Sequence, residues 1–153
     1  MGQFAFSLDN FLPYKLIQTS EQVSESLATL YKREFDITRS EWRIIANLAA
    51  RENVIARDLS EITNLDKVKV SRTLINLEDK KLIQRAKSEN DLRASNIKLT
   101  KEGLSLYQRI VPLAIAWESQ ILDGLTATQY RDLCQTLDAL SKSVATLTQL
   151  NSE

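Results

Sequence analysis

Two groups of residues in this chain have the types and spacing for recognition chemistry. Asp91 and Arg93 stand two apart in the polar stretch "RAKSENDLRASNIKLTKEG", residues 85 to 103, with Lys87 just before them. Lys69, Arg72 and Asn76 recur at intervals of three and four, with Lys67 and Ser71 beside them. A guanidinium bonds two acceptors at once, a carboxamide both gives and accepts, and an ammonium acts as a point charge. Such a set holds an anionic, acceptor-rich surface; it does not break bonds.

The composition agrees. Histidine is absent, which removes imidazole acid–base catalysis, the Ser-His and Cys-His nucleophiles and the histidine zinc sites. No glycine-rich phosphate loop is present. Neither an enzyme, a metal nor a cofactor is expected. One cysteine, Cys134, excludes an internal disulfide and fits a reducing compartment. No basic-then-apolar leader and no run of about 18 apolar residues occurs, so a cytoplasmic location is expected and no membrane partner. The net charge is zero, but its distribution is uneven: residues 67 to 103 hold ten Lys/Arg against five Asp/Glu, while both flanking segments are net acidic. A polyanion responds to such a local patch within a Debye length of about 8–10 Å.

Helical elements must position these groups. Glycine (3) and proline (2) are scarce among the 153 residues, favouring long helices. Leu16, Val23, Leu27, Leu30 and Tyr31 keep helical spacing over residues 8 to 33, with Pro13 near the start. Thr38 and Glu41 form a T-x-x-E capping box before the apolar positions Trp42, Ile45, Ala46 and Ala49. A polar break at 51 to 53 precedes a short helix over 55 to 62, with Leu59 and Ile62 inward. Asp66 is placed to cap a helix over 67 to 80. On that helix Val70, Leu74 and Leu77 face a core, and Lys69, Arg72 and Asn76 cluster within about 60° on the far side. Taken alone, that polar face is more simply a solvated helix surface.

"LIQRA", a loop of about seven residues and "SNIKLT" make a β-hairpin, with Ile97 and Leu99 alternating against Asn96 and Lys98. Three helices followed by a hairpin is the order of a winged helix-turn-helix, whose second motif helix enters the major groove. The helix over 101 to 122 is apolar on nearly every side, and a kink or local break is expected at Pro112. Thr126 and Gln129 form a second capping box. Tyr130, Leu133, Leu137, Leu140, Val144 and Leu147 then follow a 3-4-4-3 pattern close to a coiled-coil seam. That seam packs either inside one chain or, as the over-apolar helix before it favours, between two chains. Cys134, beside it, is expected as packing.

The stretch "LEDKKLIQRAKSENDLRASNIKLTKEG" resembles the end of the recognition helix and the wing of the MarR family of bacterial transcription regulators. The residues that carry the resemblance are Leu77–Glu78, Leu82–Ile83, Arg85, Asp91-x-Arg93, Leu99–Thr100 and Gly103. "TRSEWRIIANLA", "LDKVKVSRTL" and "LPYKL" fit the same pattern in order, so it covers nearly the whole chain. One departure is Leu92, where the wing pattern usually carries a further basic residue.

The resemblance implies a mainly α fold with a small β-hairpin wing. Residues 36 to 103 then form the DNA-binding winged helix-turn-helix, and residues 1 to 35 with 104 to 153 a helical dimerisation region. It implies a homodimeric repressor on double-stranded DNA with a palindromic operator, released by a small aromatic acid or phenolic ligand. Arg93 would enter the minor groove or clamp phosphate, and Asp91 would fix its pose. Lys69, Arg72 and Asn76 would face bases or phosphates, Ser71 a base or phosphate, and Lys67 and Lys87 phosphate. Tyr14, Trp42 and Arg43 would line the ligand cleft. The contrary expectation is a winged-helix protein adaptor or an architectural DNA binder without an effector.

Overall fold

The computed structural model describes residues 6–87 and 95–150. A single 3-10 turn, Leu8–Asn10, precedes α1 (Leu12–Phe35). The chain continues through α2 (Arg39–Ala50), β1 (Val54–Ile55), α3 (Ala56–Thr63), α4 (Lys67–Asp79), β2 (Ile83–Lys87), β3 (Ser95–Leu99), α5 (Lys101–Leu122) and α6 (Ala127–Leu150). Contacts divide it into two compact units, residues 1–114 and 115–153.

Local chemistry sets most boundaries in the first unit. Pro13 sits in the first turn of α1, where its missing N–H costs nothing. That helix ends at Asp36 in the left-handed region (φ 52°). The Thr38 hydroxyl accepts from the Glu41 amide at 3.2 Å, and the Glu41 carboxylate accepts from the Thr38 amide at 2.8 Å, closing the expected capping box. Asp66 caps α4 by accepting from the Lys69 amide at 2.8 Å. In α5, the expected break at Pro112 does not occur: the helix runs unbroken across it. A proline removes one rung of the helical ladder, and the neighbouring rungs hold the turn.

The wing is more than a hairpin. β1 adds to it, giving an antiparallel sheet in the order β1-β3-β2. Val54 lies opposite Ile97, Ile83 opposite Leu99, and Arg85 opposite Ile97 from the other side. Val54, Ile83 and Ile97 thereby turn one face of the sheet into a core completed by Ile44, Ile45 and Leu48 of α2, Leu59 of α3, and Val70, Leu74 and Leu77 of α4. Tyr31, Ile37 and Ile110 close it from the α1 and α5 sides.

One buried charge ties this core together. Glu41 is 1% exposed, and besides its cap it accepts from the Lys80 ammonium at 3.0 Å. Lys80 also donates to the Asp36 carbonyl at 2.7 Å. The end of α4 is thus fastened to the turn between α1 and α2, and hydrogen bonds from Thr38 and Lys80 meet the polar atoms of the buried Glu41 side chain.

In the second unit no residue of α6 is buried within the chain. Thr126 and Gln129 close the second capping box at 3.2 and 2.9 Å. The seam residues Tyr130, Leu133, Leu137, Val144 and Leu147 are all exposed.

Candidate nucleic-acid interface

α4 is held at its base by the turn before it. Asn64 ends α3 in the left-handed region, and the Ser60 hydroxyl donates to the Leu65 carbonyl at 2.6 Å. Val70, Thr73, Leu74 and Leu77 bury one face of α4. The rest is open to solvent: Lys67, Val68, Lys69, Ser71, Arg72, Ile75 and Asn76 are exposed.

Grooves flank α4 on both sides. One is lined by Arg39, Ser40 and Arg43 of α2 together with Lys69, Arg72 and Asn76. It collects four cations. Its carboxylate, Asp66, is engaged with the Lys69 amide. The other is lined by Arg57, Lys67, Ser71 and Arg85. Arg85 is partly neutralised there, donating to both oxygens of Glu78 at 2.7 and 3.1 Å. A helix with one face anchored, an outer ridge free and cations along both sides fits a groove walled by phosphates.

The structure therefore brings Lys67, Lys69, Ser71, Arg72 and Asn76 onto the exposed surface of one helix. Lys87 ends β2, opposite Ser95. Asp91 and Arg93, the wing-tip pair, lie outside the described residues, as does the side chain of Lys87. Sequence reasoning missed Arg39 and Arg57, which belong to other elements, and the exposed apolar pair Val68 and Ile75. Their only sequence signal was apolar character off the core-facing positions.

The base of the wing depends on Gly103. The Leu82 carbonyl accepts from the Thr100 amide at 3.0 Å, and the Thr100 hydroxyl donates to the Lys81 carbonyl at 2.7 Å. The same hydroxyl accepts from the Gly103 amide at 3.0 Å, capping α5. A Cβ at 103 would lie 2.0 Å from the Leu82 carbonyl oxygen. The position has room for hydrogen only.

Trp42 stacks between two tyrosines, with ring centroids 5.8 Å from Tyr31 and 5.9 Å from Tyr107. Arg43, its neighbour in sequence, turns instead into the groove beside α4. Tyr14 is half-buried in the first turn of α1. Burial pushes the Tyr31 hydroxyl above the usual phenol range, against the opposing pull of Arg39 and Arg43. Cys134 is exposed rather than packed, since α6 buries nothing within its own chain. Among the described residues no cluster of His, Cys, Asp or Glu could hold a metal, and no helix is long and apolar enough to cross a membrane.

A family model described as the MarR family matches residues 35–94. The HTH-type transcriptional regulator FarR of Neisseria gonorrhoeae is 34% identical over 92 residues, which is 58% of this chain and 63% of that protein. The chain thus spans less than two thirds of that curated relative. A MarR/EmrR family transcriptional regulator from Acinetobacter sp. ADP1 is 30% identical over 92% of this chain and 99% of its own, with a TM-score of 0.83. The MepR–DNA complex of S. aureus shares the fold at 23% identity and a TM-score of 0.78, over 90% of this chain and 99% of that one.

Proposed function

This chain belongs to the MarR family of transcriptional regulators, and we propose that it acts as a homodimeric repressor that reads a palindromic operator in double-stranded DNA. The observation that carries the proposal is α4: one face is locked into the core, and its opposite face is free and bordered by Arg39, Arg43, Arg57, Lys67, Lys69 and Arg72. In this reading Lys67, Lys69 and the α2 arginines hold phosphates. Ser71, Arg72 and Asn76 reach base edges or phosphate, and Lys87, Asp91 and Arg93 form the wing's contact with the backbone or minor groove.

Exposed apolar side chains support the homodimer. Seventeen of the nineteen large ones among the described residues fall within residues 6–23 or 104–150. This agrees with residues 1–35 and 104–153 as the dimerisation region around a reading head of 36–103. A second copy offers each seam an identical partner, as two-fold symmetry requires. For release, a small aromatic acid or phenol is the effector class that suits Trp42 with its stacked tyrosines; Tyr14 lies 17 residues before Tyr31 on α1, about 25 Å along its axis, and Arg43 faces the α4 groove instead. Effector binding would change the spacing of the two reading heads.

A salt titration tests the DNA-binding core of the proposal. With six to ten phosphate contacts, affinity for duplex should fall about 10³–10⁵-fold between 50 and 200 mM salt, while preference for the selected site persists. Loss of that preference would leave an architectural binder, and absence of duplex binding an adaptor.

A further inference from the structure

Val68 and Ile75 break the pattern of exposed apolar residues. They are 60% and 51% exposed, and they are the two large exposed hydrophobics that lie outside the chain ends, among the described residues. Both lie on α4 within the cationic surface, where a dimer seam gives them no role. Seven residues apart, they differ by only about 20° around the helix axis. Leu77, fully buried, lies about 160–180° away from both, so they crown the ridge that points away from the core. Ser71 and Arg72 fall between them along the axis, one on either side of the ridge.

We infer that Val68 and Ile75 are specificity-determining residues that read thymine methyl groups in the major groove, on either side of a guanine bonded by Arg72. The inference rests on the DNA-reading role proposed above. Phosphates and the polar edges of bases offer nothing to a branched aliphatic side chain. The C5-methyl of thymine is the apolar group that a base pair presents in that groove. The cations beside the pair supply the charge complementarity that draws a duplex, rather than an apolar protein surface, onto this ridge. The spacing also fits. Seven residues rise about 10.5 Å, close to three base-pair steps of about 3.4 Å. Arg72, four residues after Val68, falls within that span.

The test begins with the full chain and a random duplex pool. Wild type should enrich half-sites in which two thymines about three base pairs apart enclose a guanine. The enriched duplex is then made with deoxyuridine at each of those thymines, which removes only the methyl. Affinity should fall about fourfold per methyl, and roughly two hundredfold when four are removed from a two-half-site operator. Ile75→Ala should become indifferent to the methyl at one position while keeping the preference at the other, and Val68→Ala the reverse. Both side chains are exposed, so the variants should melt like wild type. Equal binding of the thymidine and deoxyuridine duplexes overturns the inference, as does an unchanged methyl preference in both variants. Enrichment of a sequence without the paired thymines overturns it while leaving the DNA-reading role intact. No enrichment at all removes both.

Discussion

Replacing Gly103 with alanine should loosen the wing at its root. The added Cβ would sit 2.0 Å from the Leu82 carbonyl oxygen and 2.9 Å from its carbon. Carbon–oxygen contacts of this kind settle at about 3.3 Å or more, so a shift of about 1.3 Å is needed. Both sides of the contact are backbone, and no side chain can rotate away. The Leu82 oxygen accepts the Thr100 amide, and the Thr100 hydroxyl caps α5 through the Gly103 amide. Moving either strand end or helix end strains that junction. Overpacking costs about 1–3 kcal/mol, and weakening one hydrogen bond adds about 0.5–1.5 kcal/mol. Alanine's better helix propensity returns up to about 1 kcal/mol. The net loss is about 2–3 kcal/mol. At about 2–4 °C per kcal/mol for a chain of this length, melting should fall by about 5–10 °C. Circular dichroism at 222 nm reads this, with protein concentration fixed because association shifts the midpoint. Gly124→Ala is the control: nothing lies within 4 Å of its Cβ, and its φ is not positive. It should melt at or slightly above wild type. If Gly103→Ala melts within about 2 °C of wild type, the close packing of α5 on Leu82, just before β2, is not what positions the wing.

Other substitutions probe other links. Lys81, exposed and in the left-handed region at φ 58°, follows the end of α4; Lys81→Gly should relieve that conformation and stabilise by about 0.5–1 kcal/mol, read as a higher urea midpoint. Glu41→Ala removes both a cap and the partner of Lys80 and should cost about 2–4 kcal/mol in the same assay, with Glu41→Gln losing less because its amide oxygen still accepts at Thr38. Arg72→Ala should cost about 1–3 kcal/mol in binding and relax preference at one base pair per half-site, measured by selection from a random pool; uniform loss over all sequences would make Arg72 a phosphate anchor instead.

What the sequence disclosed and what it hid separate by distance along the chain. The caps at Thr38, Asp66 and Thr126 each depend on residues three apart, and all three form. The long helices follow from apolar spacing that local geometry enforces. β1 was invisible because two residues, Val54 and Ile55, become a strand only through partners 43 and 41 positions away. The Glu41–Lys80 pair and the Gly103–Leu82 approach are equally non-local. On α4 the shortfall was angular. Lys69, Arg72 and Asn76 share a sector, but the outward direction is set by where the core lies. Opposite Leu77 stand Val68 and Ile75 with Arg72, while Lys69 and Asn76 edge toward the α2 groove. Counting cations alone passed over the apolar pair between them. Cys134, read as packing, is exposed because its helix has no burial partner within one chain.

The central claim is that paired copies of this chain set two α4 ridges into a double helix. Hydroxyl-radical footprinting on the enriched duplex tests it most directly. Two protected patches related by two-fold symmetry, with centres about 10 base pairs apart, are predicted. A single unpaired patch, or cleavage unchanged by saturating protein, would contradict it.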